Sequence, residues 1–134
     1  MLRLYSWVMW AMQPLLRRKL RRRGREEAGY LHAIEERFGH YTQAATEGGY
    51  VWVHAVSLGE TRAAAVLLQA LRAAQPNIRI LLTHGTATGR AQGEGLLRDG
   101  DVQVWQPWDT PAVVQRFLTR FKPSLGIVLE TELW

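Results

Sequence analysis

Two carboxylates, one behind an early strand and one near the end of the chain, are the residues here best suited to moving a proton. Glu60 closes the stretch VHAVSLGE at residues 53–60, which reads as a strand end, a tight polar turn and a carboxylate at the mouth of a helix. Ser57 stands three residues before it. S-x-x-E ahead of a helix is the capping-box pattern, in which serine and glutamate satisfy each other's backbone N–H groups. A cap of this kind is worth only about 1 kcal/mol and implies no function. Gly59 adds a functional reading, because a residue without a Cβ lets a ligand approach a helix N-terminus, where anions are favoured. Glu130 ends an apolar strand, and Glu132 lies on the same side two residues later if the chain stays extended. A carboxylate at that depth must be hydrogen-bonded, paired or wet. Two separated carboxylates facing one cleft suit acid–base work on a hydroxyl group.

Other side chains carry weaker signals. Thr83, Thr86 and Thr88 form a hydroxyl-rich turn able to grip a phosphate or carboxylate, although such turns are also common as plain structure. His54 lies inside a strand and reads as a satisfied core histidine. The four histidines have no ligand-like spacing and there is no cysteine, so no metal site is expected and a thiolate nucleophile or disulfide framework is excluded. No G-x-G-x-x-G or Walker pattern follows any strand.

The elements that must position these residues alternate. A helix with Leu31, Ile34 and Phe38 at helical spacing, capped by Gly39, is predicted first. TQAATEGGY reads as a loop. Then come strand YVWVHAV, helix ETRAAAVLLQALRAA ending before Pro76, strand NIRILLTH, a weak glycine-interrupted helix near residues 88–98, and strand DVQVWQ. A helix follows with Thr110 or Asp109 as N-cap and Pro111 in its first turn, burying Val114, Phe117, Leu118 and Phe121; SLGIVLE is the fourth strand. This rhythm predicts an α/β fold, a Rossmann-like parallel sheet with helices on both faces and strands buried on both sides. Ligands bind outside the carboxyl ends of such strands. Those ends are residues 57–60, 83–89, 106–109 and 130–132, where the polar, acidic and glycine residues gather. A chain stopping at ETELW, straight after the fourth strand, reads as part of a longer protein.

Composition divides the chain of 134 residues in two. Eight of the seventeen basic side chains fall in residues 1–25 with no acidic residue among them, leaving nine basic and twelve acidic residues behind. Residues 4–12 are apolar nearly all round and carry Tyr5, Trp7 and Trp10; Pro14 interrupts the run before RRKLRRR. Spanning a bilayer takes roughly 20 apolar residues, more than this stretch offers. Tryptophan and tyrosine favour the headgroup boundary and Lys/Arg clusters favour anionic lipids, so residues 1–25 are expected to associate with a membrane surface. A nucleic-acid arm would use the arginines but leave the tryptophan-rich run unexplained. No nucleic-acid partner is expected.

Taken together, MQPL, RGR at residues 23–25, ERFG at residues 36–39, HAVSLGE, THGTATG, PWDTP ahead of RFLTRFKP, and ETELW closely resemble the N-terminal half of the Kdo transferases, the 3-deoxy-D-manno-octulosonic acid transferases of lipopolysaccharide synthesis. The resemblance covers essentially the whole chain. It implies a two-domain GT-B glycosyltransferase that moves Kdo from CMP-Kdo to a lipid A precursor (lipid IVA) with inversion and without a metal or other cofactor. By that resemblance Glu60 is the general base, Glu130 stabilises the transition state, and Ser57, Gly59, Thr83, Thr86 and Thr88 are candidates for substrate contact. Residues 1–25 would be the membrane-anchoring helix, at the cytoplasmic face of the inner membrane of a Gram-negative bacterium. Residues 26–134 would be the acceptor-side domain, without the CMP-sugar-binding domain that transfer requires. His84, Gly85 and Ala87 depart from the commoner residues of the threonine-rich turn. Two alternatives remain: a glycosyltransferase using another nucleotide sugar, and a non-catalytic membrane-surface binding module.

Overall fold

The computed structural model describes residues 2–44 and 46–130. Helix α1 (Leu2–Glu26) leads, followed by two 3-10 turns (Ala28–Leu31 and Ile34–Phe38) and the alternation β1 (Val51–Ala55), α2 (Leu58–Ala74), β2 (Ile80–His84), α3 (Ala87–Glu94), β3 (Val102–Trp105), α4 (Pro111–Phe121) and β4 (Leu125–Leu129). The four strands form one parallel sheet in the order β3-β2-β1-β4. The Rossmann-like α/β reading therefore holds. From β1 the chain winds outward through β2 to β3, then α4 carries it back across the sheet to the far side of β1.

Side-chain alternation along the strands builds two cores. Val53, Ala55, Ile80 and Leu82 pack against Ala64 and Leu68 of α2. Leu81 and Val104 meet Phe117 and Phe121 of α4 together with Tyr50, on the other face. Thr110 caps α4 by accepting from the Val113 N–H, with Pro111 at the first helical position, where its missing donor costs nothing. The stripe α4 buries is Val113, Phe117 and Phe121, spaced by four, whereas Leu118 is exposed and Val114 half-buried. Burial on both sides holds for β2 and not for β4, an edge strand whose Leu125 and Val128 remain more than half exposed.

The chain does not break at Pro14: the helix expected over residues 1–25 runs straight through it, and one local expectation after it is corrected. The lost backbone bond is outweighed by docking, because Met9, Gln13, Leu16 and Leu20 share one face of the helix and Leu20 is buried with Tyr30, Ala87 and Trp105. Nor is there a helix over residues 26–38. Ala33 adopts the left-handed conformation (φ 46°) and splits the segment into two 3-10 turns, with Leu31 exposed. The second turn is fixed by Glu36, whose Oε2 accepts from the Trp105 backbone N–H at 2.9 Å and pairs with Arg90 at 2.6 Å. Gly39, at φ 81°, closes that turn as its C-cap.

Candidate active site

Strand order reverses between β1 and β4, and the crevice outside the carboxyl ends at such a point is where open α/β sheets bind ligands. Ala55 pairs with Leu129 as the last register step of the two strands, so the residues following them, the turn into α2 and Glu130, leave the sheet side by side.

Glu60 sits in the first turn of α2, and the capping box is complete: Ser57 Oγ accepts from the Glu60 N–H at 3.4 Å, and Glu60 reaches back. Its Oε2 accepts from the Val56 N–H at 2.6 Å and the Ser57 N–H at 3.0 Å. Both bonds fall on one oxygen, and Oε1 accepts none among the described residues. The cap thus aims the carboxylate while leaving half of it free. Gly59 is exposed, and a Cβ built there would meet only Ser57 Oγ at 4.0 Å, so the mouth of the helix is open.

Glu130 is exposed immediately after β4; Glu132 and the rest of ETELW lie outside the described residues. His54, on β1, has its Nδ1 2.8 Å from Thr83 Oγ1. Burial lowers its pKa, and the charges of Glu60 and Glu130 pull it back up.

The threonines separate into three situations. Thr83 is fully buried within β2, its hydroxyl also accepting from Trp52 Nε1–H at 2.8 Å. Thr86 caps α3, donating to the Val56 carbonyl and accepting from the Gly89 N–H. Thr88 is exposed, and among the described residues its hydroxyl meets only Thr86 at 3.5 Å. His84, the departure within this turn, is fully buried and neutral: Nδ1–H donates to the Ala55 carbonyl at 2.9 Å, and Nε2 accepts from Gln103 Nε2 at 3.0 Å. Burial, with Arg90 and His54 adding repulsion, lowers its pKa to about 4. No cluster of three metal-ligating side chains occurs among the described residues.

Sequence reasoning missed a cavity of about 400 Å³ beside the crevice. Leu16, Lys19, Leu20 and Arg23 of α1 form one wall, and Val56, Gly85, Thr86 and Gln106–Asp109, at the carboxyl ends of β1–β3, form the other. Arg37 contributes from the second 3-10 turn. Its exposure is 6%, and no spacing rule announces it, because its surroundings come from segments far along the chain. A larger concavity of about 610 Å³, lined by Tyr41, Arg116, Arg120 and Lys122, lies at the C-terminal end of α4, away from both carboxylates.

Residues 32–134 match the profile of the family described as 3-deoxy-D-manno-octulosonic-acid transferase (kdotransferase). The chain is 41% identical over 138 residues to the 3-deoxy-D-manno-octulosonic acid transferase of Bordetella pertussis, covering 97% of this chain and 32% of that protein. It is 33% identical to a probable mitochondrial 3-deoxy-D-manno-octulosonic acid transferase of Arabidopsis thaliana (98% of this chain, 30% of that one). To the 3-deoxy-D-manno-octulosonic acid transferase of Haemophilus influenzae it is 30% identical (97% and 31%). The chain therefore spans about a third of the length of these relatives. No solved structure matches it significantly.

Proposed function

This chain belongs to the 3-deoxy-D-manno-octulosonic-acid transferase family, and from that premise we propose that it forms the acceptor side of a GT-B enzyme transferring Kdo from CMP-Kdo to a hydroxyl of a lipid A precursor. The observation that carries the reading is the divided carboxylate of Glu60. Oε2 is anchored by two backbone N–H groups, and Oε1 accepts no hydrogen bond among the described residues, beside an open helix mouth at Gly59 where strand order reverses.

In this reading an acceptor hydroxyl hydrogen-bonds to Oε1. Its oxygen attacks the anomeric carbon of Kdo while its proton passes to Glu60; the carbon–oxygen bond to CMP breaks on the opposite face, and CMP leaves with the electron pair. The single displacement inverts the centre. Positive charge gathers on the sugar ring as the leaving bond stretches, and the Glu130 carboxylate, exposed beside the crevice, stabilises it electrostatically. Ser57, Gly59, Thr86 and Thr88 line the acceptor approach, and Thr83 supports the crevice from within the sheet. The reaction is proposed to need no metal and no other cofactor, with CMP-Kdo held by a second lobe.

The same proposal places the protein on the cytoplasmic face of the inner membrane of a Gram-negative cell, held by α1 at the surface where a lipid acceptor resides. Leu4, Trp7, Val8 and Leu15 of α1 are exposed, Trp7 and Trp10 bordering a groove against the start of α4, and no described helix is long and apolar enough to cross a membrane.

A general base contributes roughly 10²–10⁴-fold to rate. Glu60→Gln in the full-length protein is expected to lower transfer from CMP-Kdo by about that factor while donor binding stays within about twofold. Retained turnover would end the base assignment. One observation, the fully formed capping box, favours the second reading of a non-catalytic membrane-surface module, in which no nucleotide sugar is turned over and Glu60 only caps. A related glycosyltransferase would show Glu60-dependent turnover of another nucleotide sugar.

A further inference from the structure

Glu60 is held by two successive peptide units, and each of those is held from behind. The Ala55–Val56 unit donates its N–H to Glu60 Oε2 at 2.6 Å, and the Val56–Ser57 unit donates its own at 3.0 Å. The carbonyls on the opposite edges of the same two units are taken by the turn that follows β2. The Ala55 carbonyl accepts from His84 Nδ1–H at 2.9 Å. The Val56 carbonyl accepts from the Gly85 N–H at 3.1 Å and from both the N–H and the hydroxyl of Thr86 at 3.0 Å. A peptide unit is planar, so fixing its carbonyl fixes the line along which its N–H points. A carbonyl that accepts also polarises its own N–H and strengthens the next bond in the chain.

The two turns are pressed together as closely as backbone allows. A Cβ built on Gly89 would lie 3.0 Å from the Val56 carbonyl oxygen and 3.1 Å from the Ser57 carbonyl carbon, and one on Gly85 would lie 2.8 Å from Val56 Cγ1. The clamp is itself braced. Gln103 donates to His84 Nε2 at 3.0 Å, and the Thr86 hydroxyl, its one proton given to Val56, accepts from the Gly89 N–H at 3.1 Å.

We propose that His84 and Thr86 are positioning residues for Glu60: through the Ala55 and Val56 carbonyls they fix the two peptide planes that hold Oε2, leaving Oε1 in a single orientation toward the acceptor hydroxyl. Thr86 then acts through the peptide and not on the substrate. The inference rests on the proposed role of Glu60 as base. Misplacing a reacting group by about 1 Å costs on the order of 10²-fold in rate, so loosening this clamp is measurable.

The test follows transfer from CMP-Kdo by the full-length protein, with kcat, KM and melting temperature measured separately. His84 is fully buried and its replacement prone to misfold, so Thr86 carries the test. Thr86→Val removes the hydroxyl at nearly constant shape and should lower kcat at least tenfold, with KM for the acceptor within about twofold. Thr86→Ser keeps the hydroxyl and should recover kcat to within about threefold. A double-mutant cycle gives the decisive readout: in a Glu60→Gln background Thr86→Val should cost less than about twofold, because the group it positions is gone. Thr110→Val, which removes the matching cap of α4, should lower the melting temperature and leave kcat unchanged. Should Thr86→Val fail to fold, Gly89→Ala presses on the same Val56 carbonyl and should lower kcat severalfold, again only when Glu60 is present. An equal loss in both backgrounds makes Thr86 structural, and a raised KM at unchanged kcat makes it a substrate contact; either overturns the proposal. Collapse of Glu60→Gln beside wild-type turnover in Thr86→Val and Gly89→Ala ends this inference alone. Wild-type turnover in Glu60→Gln ends the base assignment and the inference with it.

Discussion

At Glu60 a helix cap and a proposed base share one carboxylate, and three substitutions separate the two roles. Ser57→Ala removes the acceptor for the Glu60 N–H but leaves both N–H bonds to Oε2, so it should cost about 1 kcal/mol of stability with transfer per folded molecule changed no more than severalfold. Glu60→Gln keeps a carbonyl oxygen for those two donors, so its melting temperature should stay near the wild type while turnover collapses. Glu60→Ala loses both and should be destabilised by about 1–2 kcal/mol. Thermal melts and transfer assays on the same three variants decide it; full activity in Glu60→Gln would leave the residue a cap. The capping box was legible because S-x-x-E is a local pattern. The division of labour between Oε2 and Oε1 was not, since it depends on where the Val56 N–H points. Arg37 was still less legible: its partners Gly85 and Trp105 lie about 50 and 70 positions further on, and only tertiary folding makes it a buried cation.

Among the elements, the contact between β2, β3 and α3 turns on His84. Its neutral ring is satisfied on both nitrogens, and Gln103 spends its other N–H on the Arg90 carbonyl at 2.8 Å. A proton added at Nε2 would face an amide NH₂ and find no acceptor. The unfolded chain, with a histidine pKa near 6.5, binds that proton more readily than the folded one at about 4. Stability from this residue is therefore complete above about pH 6.5, declines as pH falls toward 4, and amounts to about 3 kcal/mol. His84→Asn keeps a donor for the Ala55 carbonyl and cannot titrate. Urea midpoints between pH 7 and pH 4 should fall less steeply for it than for the wild type, and parallel curves would refute the assignment. Gly93 makes room for the pair: a Cβ there would lie 2.5 Å from His84 Nε2 and 2.6 Å from Gln103 Nε2. Gly93→Ala gains about 1 kcal/mol of helix propensity but overpacks a locked site at a cost of about 1–3 kcal/mol, so a net loss of melting temperature is expected. The order and type of the α/β elements were readable because apolar periodicity and caps are local. The two 3-10 turns were not, since the tie from Glu36 to β3 and the left-handed Ala33 override a helical spacing. The stripe of α4 slipped by one residue for a similar reason: which face is buried depends on how the helix lies across the sheet.

On the scale of the whole molecule, charge and apolarity are sorted along α1. Its inner face, Met9, Gln13, Leu16 and Leu20, docks on the body. Its outer face begins with exposed Leu4, Val8 and Leu15 and ends with exposed Arg18 and Arg22, while the exposed Trp7 and Trp10 border a groove against the start of α4. A helix docked on one side and apolar then basic on the other presents a surface that suits a lipid boundary better than water, with each arginine near anionic headgroups worth about 1 kcal/mol. No described helix is long and apolar enough to cross a bilayer. The protein should sediment with vesicles containing phosphatidylglycerol. Replacing Trp7 and Trp10 together by serine removes the largest exposed apolar groups and should weaken partitioning at least tenfold, about 1.4 kcal/mol or more, at any ionic strength. Arg18→Gln with Arg22→Gln should instead weaken it mainly at low salt, since charges outside the headgroup layer are screened over about 10 Å at 0.1 M. If the tryptophan variant partitions as the wild type does, the exposed face of α1 is covered by protein, and the attachment must be sought elsewhere on the molecule.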